Sequence, residues 1–156
     1  MANCEAHYRY ILNTASQHAA LCRDLQNGRV PSRDRIRRDR LQSIAARRAL
    51  TEELFEAFIT PIDREDLFRV YETLADALCA LQAVAVGGGV ASCDVADALY
   101  EVTEAFVHGQ TPQLLRAAAR IYTRTADENT ASPVGNWLSQ CKRAARCMTA
   151  ALLKNA

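Results

Sequence analysis

Leu67-Phe68-Arg69-Val70-Tyr71-Glu72-Thr73-Leu74-Ala75-Asp76-Ala77-Leu78-Cys79-Ala80-Leu81 sets Leu67, Val70 with Tyr71, Leu74, Leu78 and Leu81 at three- and four-residue steps. That recurrence is one face of an α-helix, since residues three and four apart lie one above the other on its surface. It predicts a helix over about 61–85 that presents an apolar stripe to a neighbouring helix. Val95, Leu99, Val102 and Phe106 repeat the pattern further along.

Outward from this stretch, prolines and glycines divide the chain. Three of the four prolines follow a hydroxyl residue, in Thr60-Pro61, Thr111-Pro112 and Ser132-Pro133. Each pair fits an N-cap, whose oxygen accepts a first-turn N–H, followed by Pro at a position that needs no N–H. Thr60-Pro61-Ile62-Asp63 also sets a carboxylate near the positive end of the helix dipole, and Ser32 is a fourth expected cap. Gly28, Gly87-Gly88-Gly89 and Gly109 fall where one periodic stretch ends and the next has not begun. Six helices are expected, at about 3–27, 32–58, 61–85, 92–108, 112–128 and 133–154, and no strand. Short connections between such helices favour antiparallel neighbours, so the fold class is all-α, an up-and-down bundle in one domain spanning 1–156. The glycine triplet separates two sets of three helices; it is either the centre of a duplication or one turn inside a single bundle.

Composition agrees. The 156 residues are 49% hydrophobic and 24% charged with net charge +1, enough apolar content for one ordinary core. No apolar run reaches the roughly 18 residues of a membrane span, and the start has no cationic and apolar leader, so a cytoplasmic protein without membrane insertion is expected. The six cysteines form no C-x-x-C pair and are expected to be thiols, mostly filling small apolar positions on helices.

Charge is uneven along the chain. Residues 1–50 carry ten arginines against four carboxylates, net +6; residues 51–110 carry net −10; residues 111–156 carry net +5. In an antiparallel bundle the simplest use is mutual, basic helices lying beside acidic ones in many weak surface pairs. Arg33, Arg35, Arg37, Arg38 and Arg40 crowd into the start of the second helix and form a candidate site for phosphate groups or an acidic partner, because guanidinium binds oxyanions through paired donors. Nucleic acid is not expected: aromatic residues are 6% of the chain, none interleaves with the cluster, and Asp34 and Asp39 interrupt it.

No signature of catalysis is present. His7, His18 and His108 stand alone, and G-x-S-x-G, Walker-A and G-x-G-x-x-G patterns are absent. Asp94, Asp97, Glu101 and Glu104 lie nearly opposite Val95, Val102 and Phe106, which makes them a solvated face. Glu72 and Asp76, one turn apart, with Cys79, are the candidate ligands of an alternative in which the chain is a metal-binding carboxylate bundle for iron or zinc.

The stretch Phe58-Ile59-Thr60-Pro61-Ile62-Asp63-Arg64-Glu65-Asp66-Leu67 closely resembles the signature of PhoU-like phosphate-transport regulators, in particular the branch that accompanies Pit-type phosphate transporters. Leu54, Phe55 and Leu74-Ala75-Asp76-Ala77 fit the same pattern more loosely, so the resemblance covers roughly 50–80. It implies an all-helical, non-enzymatic protein of two three-helix halves that acts on a phosphate transporter or a phosphate-signalling protein, at the inner face of the membrane. On that resemblance Thr60, Pro61, Asp63, Arg64, Glu65 and Asp66 form the partner-binding surface, and a homo-dimer is a further expectation. The family's metal ligands are largely replaced: Arg40 and Ile44 stand near the place of its first acidic element, and Leu74-Ala75-Asp76-Ala77-Leu78-Cys79 keeps one carboxylate. Hard cations need several oxygen ligands, so no metal and no other cofactor is expected.

Overall fold

A computed structural model describes residues 2–56, 62–125 and 129–154. Six α-helices follow one another: α1 (Ala2–Gln26), α2 (Arg33–Glu56), α3 (Arg64–Val86), α4 (Cys93–Val107), α5 (Thr111–Arg124) and α6 (Pro133–Lys154). Among the described residues there is no strand. The all-α bundle expected from the periodicity is therefore the observed class.

Two of the four expected caps form as read. Ser32 Oγ accepts the backbone N–H of Arg35 at 3.2 Å, and Ser132 Oγ accepts that of Gly135 at 2.9 Å, with Pro133 opening α6. The other two are corrected or lie elsewhere. Helix α5 opens one residue early, with Gln110 at the N-cap and Thr111 already helical. The Gln110 N–H is bonded back to Ala105 O at 2.8 Å as α4 closes, so the turn is too short to leave Thr111 outside the helix. Thr60 and Pro61 lie outside the described residues, and α3 begins at Arg64, with Asp63 as the N-cap itself: its side chain accepts the Glu65 N–H at 2.9 Å.

The glycine triplet is a tight helix stop. Gly88 takes φ +73°, a left-handed conformation that costs other residues about 1 kcal/mol or more, and Gly89 N–H then bonds back to Val84 O at 3.0 Å. Packing runs across this turn. Helix α3 makes its most extensive contact with α6, and α1 lies against both α4 and α3. The two sets of three helices are thus a division of the sequence, and in space they share one core. Trp137, Tyr71, Phe106, Leu67, Leu81, Leu99, Leu114, Ile121 and Met148 are fully buried there. Each large apolar side chain so placed contributes roughly 1.5–3 kcal/mol.

Helix α2 is the outlier. Of its 24 residues only Ile36 and Leu54 are buried, and it touches α3 and α1 lightly. Its sequence explains this, because a helix crowded with arginine has no continuous apolar stripe with which to enter a core.

Candidate functional site

The arginine cluster divides by direction. Arg40 turns inward: its Nε donates to Gln82 Oε1 at 2.7 Å and ties α2 to α3. Arg35 leans along its own helix toward Asp39, at 3.9 Å. Arg33, Arg37 and Arg38 are exposed and form no ion pair among the described residues. At 100° per residue, Arg33, Arg37, Ile44, Arg48 and Phe55 fall within about 60° of one another on α2, Leu41 lies beside them, and Arg38 lies further round the helix. Leu41, Ile44 and Phe55 are 60%, 53% and 52% exposed. The exposed face of α2 therefore interleaves Arg33, Arg37 and Arg48 with large apolar side chains, with Asp34 and Glu52 beside Leu41 and Arg48 reaching along the helix to Glu52.

Behind α2, its weak contact with α1 leaves a cleft of about 470 Å³ floored by α3. Tyr10, Asn13, Gln17, Asp24, Arg35 and Gln82 are among the side chains that line it. Tyr10 spans the gap, its hydroxyl 3.4 Å from both the carbonyl and the hydroxyl oxygens of Ser43. Sequence reading did not reach this cleft or the exposed apolar side chains of the α2 face. The available signal was α2's shortage of inward-facing apolar positions, which forecasts a helix held off the core.

On α4 charge is answered within the molecule. The acidic face of α4 meets arginines of its neighbours: Arg23 with Asp97 at 2.7 Å, Arg120 with Glu101, and Arg124 with Asp94 at 3.8 Å. It is the solvated face that its position opposite Val95 and Phe106 requires. Basic segments of α1 and α5 do lie beside acidic α4; among the described residues neither α2 nor Lys142, Arg143 and Arg146 of α6 form an ion pair with it.

Of the residues assigned to a partner surface by resemblance, Asp63, Arg64 and Asp66 have structural roles of their own. Asp63 caps α3, and Lys154 of α6 reaches both Asp63, at 3.5 Å, and Asp66, at 3.3 Å. The Glu65 N–H and then the Lys154 ammonium hold the Asp63 carboxyl below its usual range, and the Asp66 hydrogen bond and charge raise the Lys154 ammonium. Arg64 donates to Phe55 O at 3.1 Å, covering a carbonyl at the end of α2. Glu65 faces solvent. Glu72, Asp76 and Cys79 are all exposed on the outer side of α3. Among the described residues no group of three His, Cys, Asp or Glu is arranged to hold a metal ion.

His18 is fully buried and accepts the Trp137 indole N–H at its Nε2, 2.7 Å away, with the Cys141 sulfur at 3.8 Å. Burial lowers its pKa to about 4, so the ring is neutral at pH 7 with its proton on Nδ1. His7 is buried against Tyr71, ring centroids 5.6 Å apart, and burial outweighs the opposing charge of Glu53 to lower its pKa too. Both are core histidines.

No helix among the described residues is long and apolar enough to cross a membrane. Comparison with family models, with curated proteins and with solved structures gives no match to this chain.

Proposed function

We propose that this chain is a non-enzymatic helical adaptor of phosphate-transport regulation, whose outer α2 face binds an acidic surface on a transporter or its signalling partner in the cytoplasm. The observation that carries the binding reading is the contrast in charge pairing. Asp94, Asp97 and Glu101 of α4 find arginines within the molecule, whereas among the described residues Arg33, Arg37 and Arg38 form no ion pair and lie on the helix that exposes Leu41, Ile44 and Phe55. Unpaired guanidinium groups beside apolar side chains suit a partner that supplies carboxylates and a matching apolar strip. The link to phosphate rests on the resemblance of residues 58–67 to the PhoU-like signature.

The test is affinity capture with the full chain from cells grown with scarce and with ample phosphate, alongside an Arg33→Glu/Arg37→Glu variant. Recovery of a phosphate transporter or sensor component by the wild type, lost in the variant, is the expected result. Equal recovery by both would remove α2 as the contact face. Recovery of no phosphate-related protein in either condition would reduce the signature to a device that caps α3 and fixes its turn.

A further inference from the structure

The cleft behind α2 holds polar groups that the fold leaves unanswered. Gln82 of α3 lines it at 5% exposure; its Oε1 accepts Arg40 Nε at 2.7 Å, and its amide NH2 donates to no group among the described residues. A nearly buried amide with idle donors is costly unless solvent or a bound molecule supplies an acceptor. Asp24 lines the α1 wall, half-buried, and among the described residues its carboxylate makes no ion pair and accepts no hydrogen bond. Arg35 lines the α2 wall and meets Asp39 only at 3.9 Å, too far for a hydrogen bond, so its guanidinium donors are uncommitted.

Asp24 and Arg35 stand at one end of the cleft, because α1 ends at Gln26 and α2 begins at Arg33 across a short turn. They belong to opposite walls and form no ion pair with each other, so a molecule charged at both ends can bridge them. Beyond them Gln17 on the α1 wall and Gln42 on the α2 wall add amide donors and acceptors, over the apolar surface of Leu21 and Leu78.

We propose that this cleft binds a short zwitterionic peptide, with its ammonium at Asp24, its carboxylate at Arg35 and its peptide bond among the side-chain amides. The charge pattern selects that chemistry. Residues 1–50 carry net +6, which disfavours a ligand bearing only cations, while Asp24 and Asp39 in the walls disfavour one bearing only anions. A volume of about 470 Å³ falls within the range of small-molecule sites, roughly 300–1,000 Å³. A bound peptide joins α1 to α2 where the two helices otherwise touch lightly, so it also slows amide exchange in α2. The site lies on the inner side of α2, and its test uses no partner protein, so it stands or falls apart from the adaptor reading.

The experiment is isothermal titration calorimetry of the full chain with alanylalanine, alanylglutamine and alanylleucine, their N-acetyl and C-amide derivatives, free glutamine, putrescine and succinate. At least one free dipeptide is expected to saturate a single site, and capping either end to weaken it about tenfold or more, the loss of one charge-assisted hydrogen bond. Asp24→Asn is expected to weaken the free dipeptide by a similar factor and to remove its advantage over the N-acetyl form. Arg35→Gln is expected to do the same toward the C-amide form, with circular dichroism as the check that both variants fold. No binding by any dipeptide at about 10 mM, equal binding of free and capped forms, or unchanged affinity in both variants would each overturn the assignment. So would tighter binding of putrescine, of succinate or of free glutamine than of every dipeptide.

Discussion

The imidazole of His18 is held neutral by burial while it accepts the Trp137 N–H, and this arrangement fixes a pH dependence. Its folded pKa, about 4, lies below the unfolded value of 6.5. Between those values the unfolded chain binds a proton that the folded chain refuses, so stability falls as pH drops from 6.5 toward 4 and is fully present above. The slope approaches about 1.4 kcal/mol per pH unit from this residue alone, and His7 acts in the same direction. Chemical denaturation at pH 7 and pH 5 is expected to show the loss, and His18→Leu is expected to flatten the difference while costing about 1–3 kcal/mol at pH 7 for the orphaned indole N–H. An unchanged slope in that variant would remove His18 as the source. A second residue-scale prediction concerns Gly135, where an added Cβ would fall 1.8 Å from Asn129 O. Gly135→Ala is expected to destabilise by about 1–3 kcal/mol, read as a lowered melting temperature, because backbone on both sides has to shift. That proximity was not legible in the sequence, which shows a glycine near a helix start and nothing of the chain that folds over it.

At the scale of elements, α2 is bound to the bundle by Leu54, Ile36, the Arg40–Gln82 bond and the Tyr10 contact with Ser43, and at its end by the Arg64 bond to Phe55 O and the Phe55–Phe68 ring contact. So few anchors predict local opening at lower free energy than the global transition. Amide hydrogen exchange is expected to show α2 exchanging before α3 and α4, and Leu54→Ala to speed exchange across α2 with little effect on α6. Uniform protection over all six helices would contradict this. The sequence was most legible here: Ser32, Ser132 and Pro133 act where their chemistry requires, and the Leu67–Leu81 stripe is buried as its period demands. It was less so at the start of α3, where a Thr-Pro pair and an Asp two residues beyond are both able to cap. The backbone selects Asp63, whose carboxylate is also reached from α6 by Lys154, a contact between residues 91 positions apart that no local pattern encodes.

Over the whole molecule part of the charge asymmetry is folded into contacts between α4 and its neighbours, and the arginine cluster of α2 lies outside them. Each exposed pair on α4 is worth at most about 1 kcal/mol, so these pairs orient helices more than they stabilise them. The arginines of α2 leave a positive field on one side, and that field steers encounter with an acidic surface. Partner capture is therefore expected to weaken as ionic strength rises from 0.05 to 0.5 M, roughly as the screening length shortens from about 14 to 4 Å, and salt-insensitive capture would favour an apolar contact through Leu41, Ile44 and Phe55. The segmental charges were readable residue by residue. Which basic segments pair with α4 was not, because that depends on helix order in space: α4 lies between α1 and α5, and α2 lies outside.

Trp137 is the sole tryptophan of the chain and it is fully buried, with its N–H on His18 and a thiol close by. The protein thus carries a single indole, whose emission reads one place, the junction of α1 and α6. A red shift of that emission reports solvent reaching the core, and quenching in acid reports the imidazolium beside the indole. Detachment of α2 leaves the signal unchanged, so intrinsic fluorescence and far-ultraviolet dichroism should give separate transitions whenever the outer helix melts first.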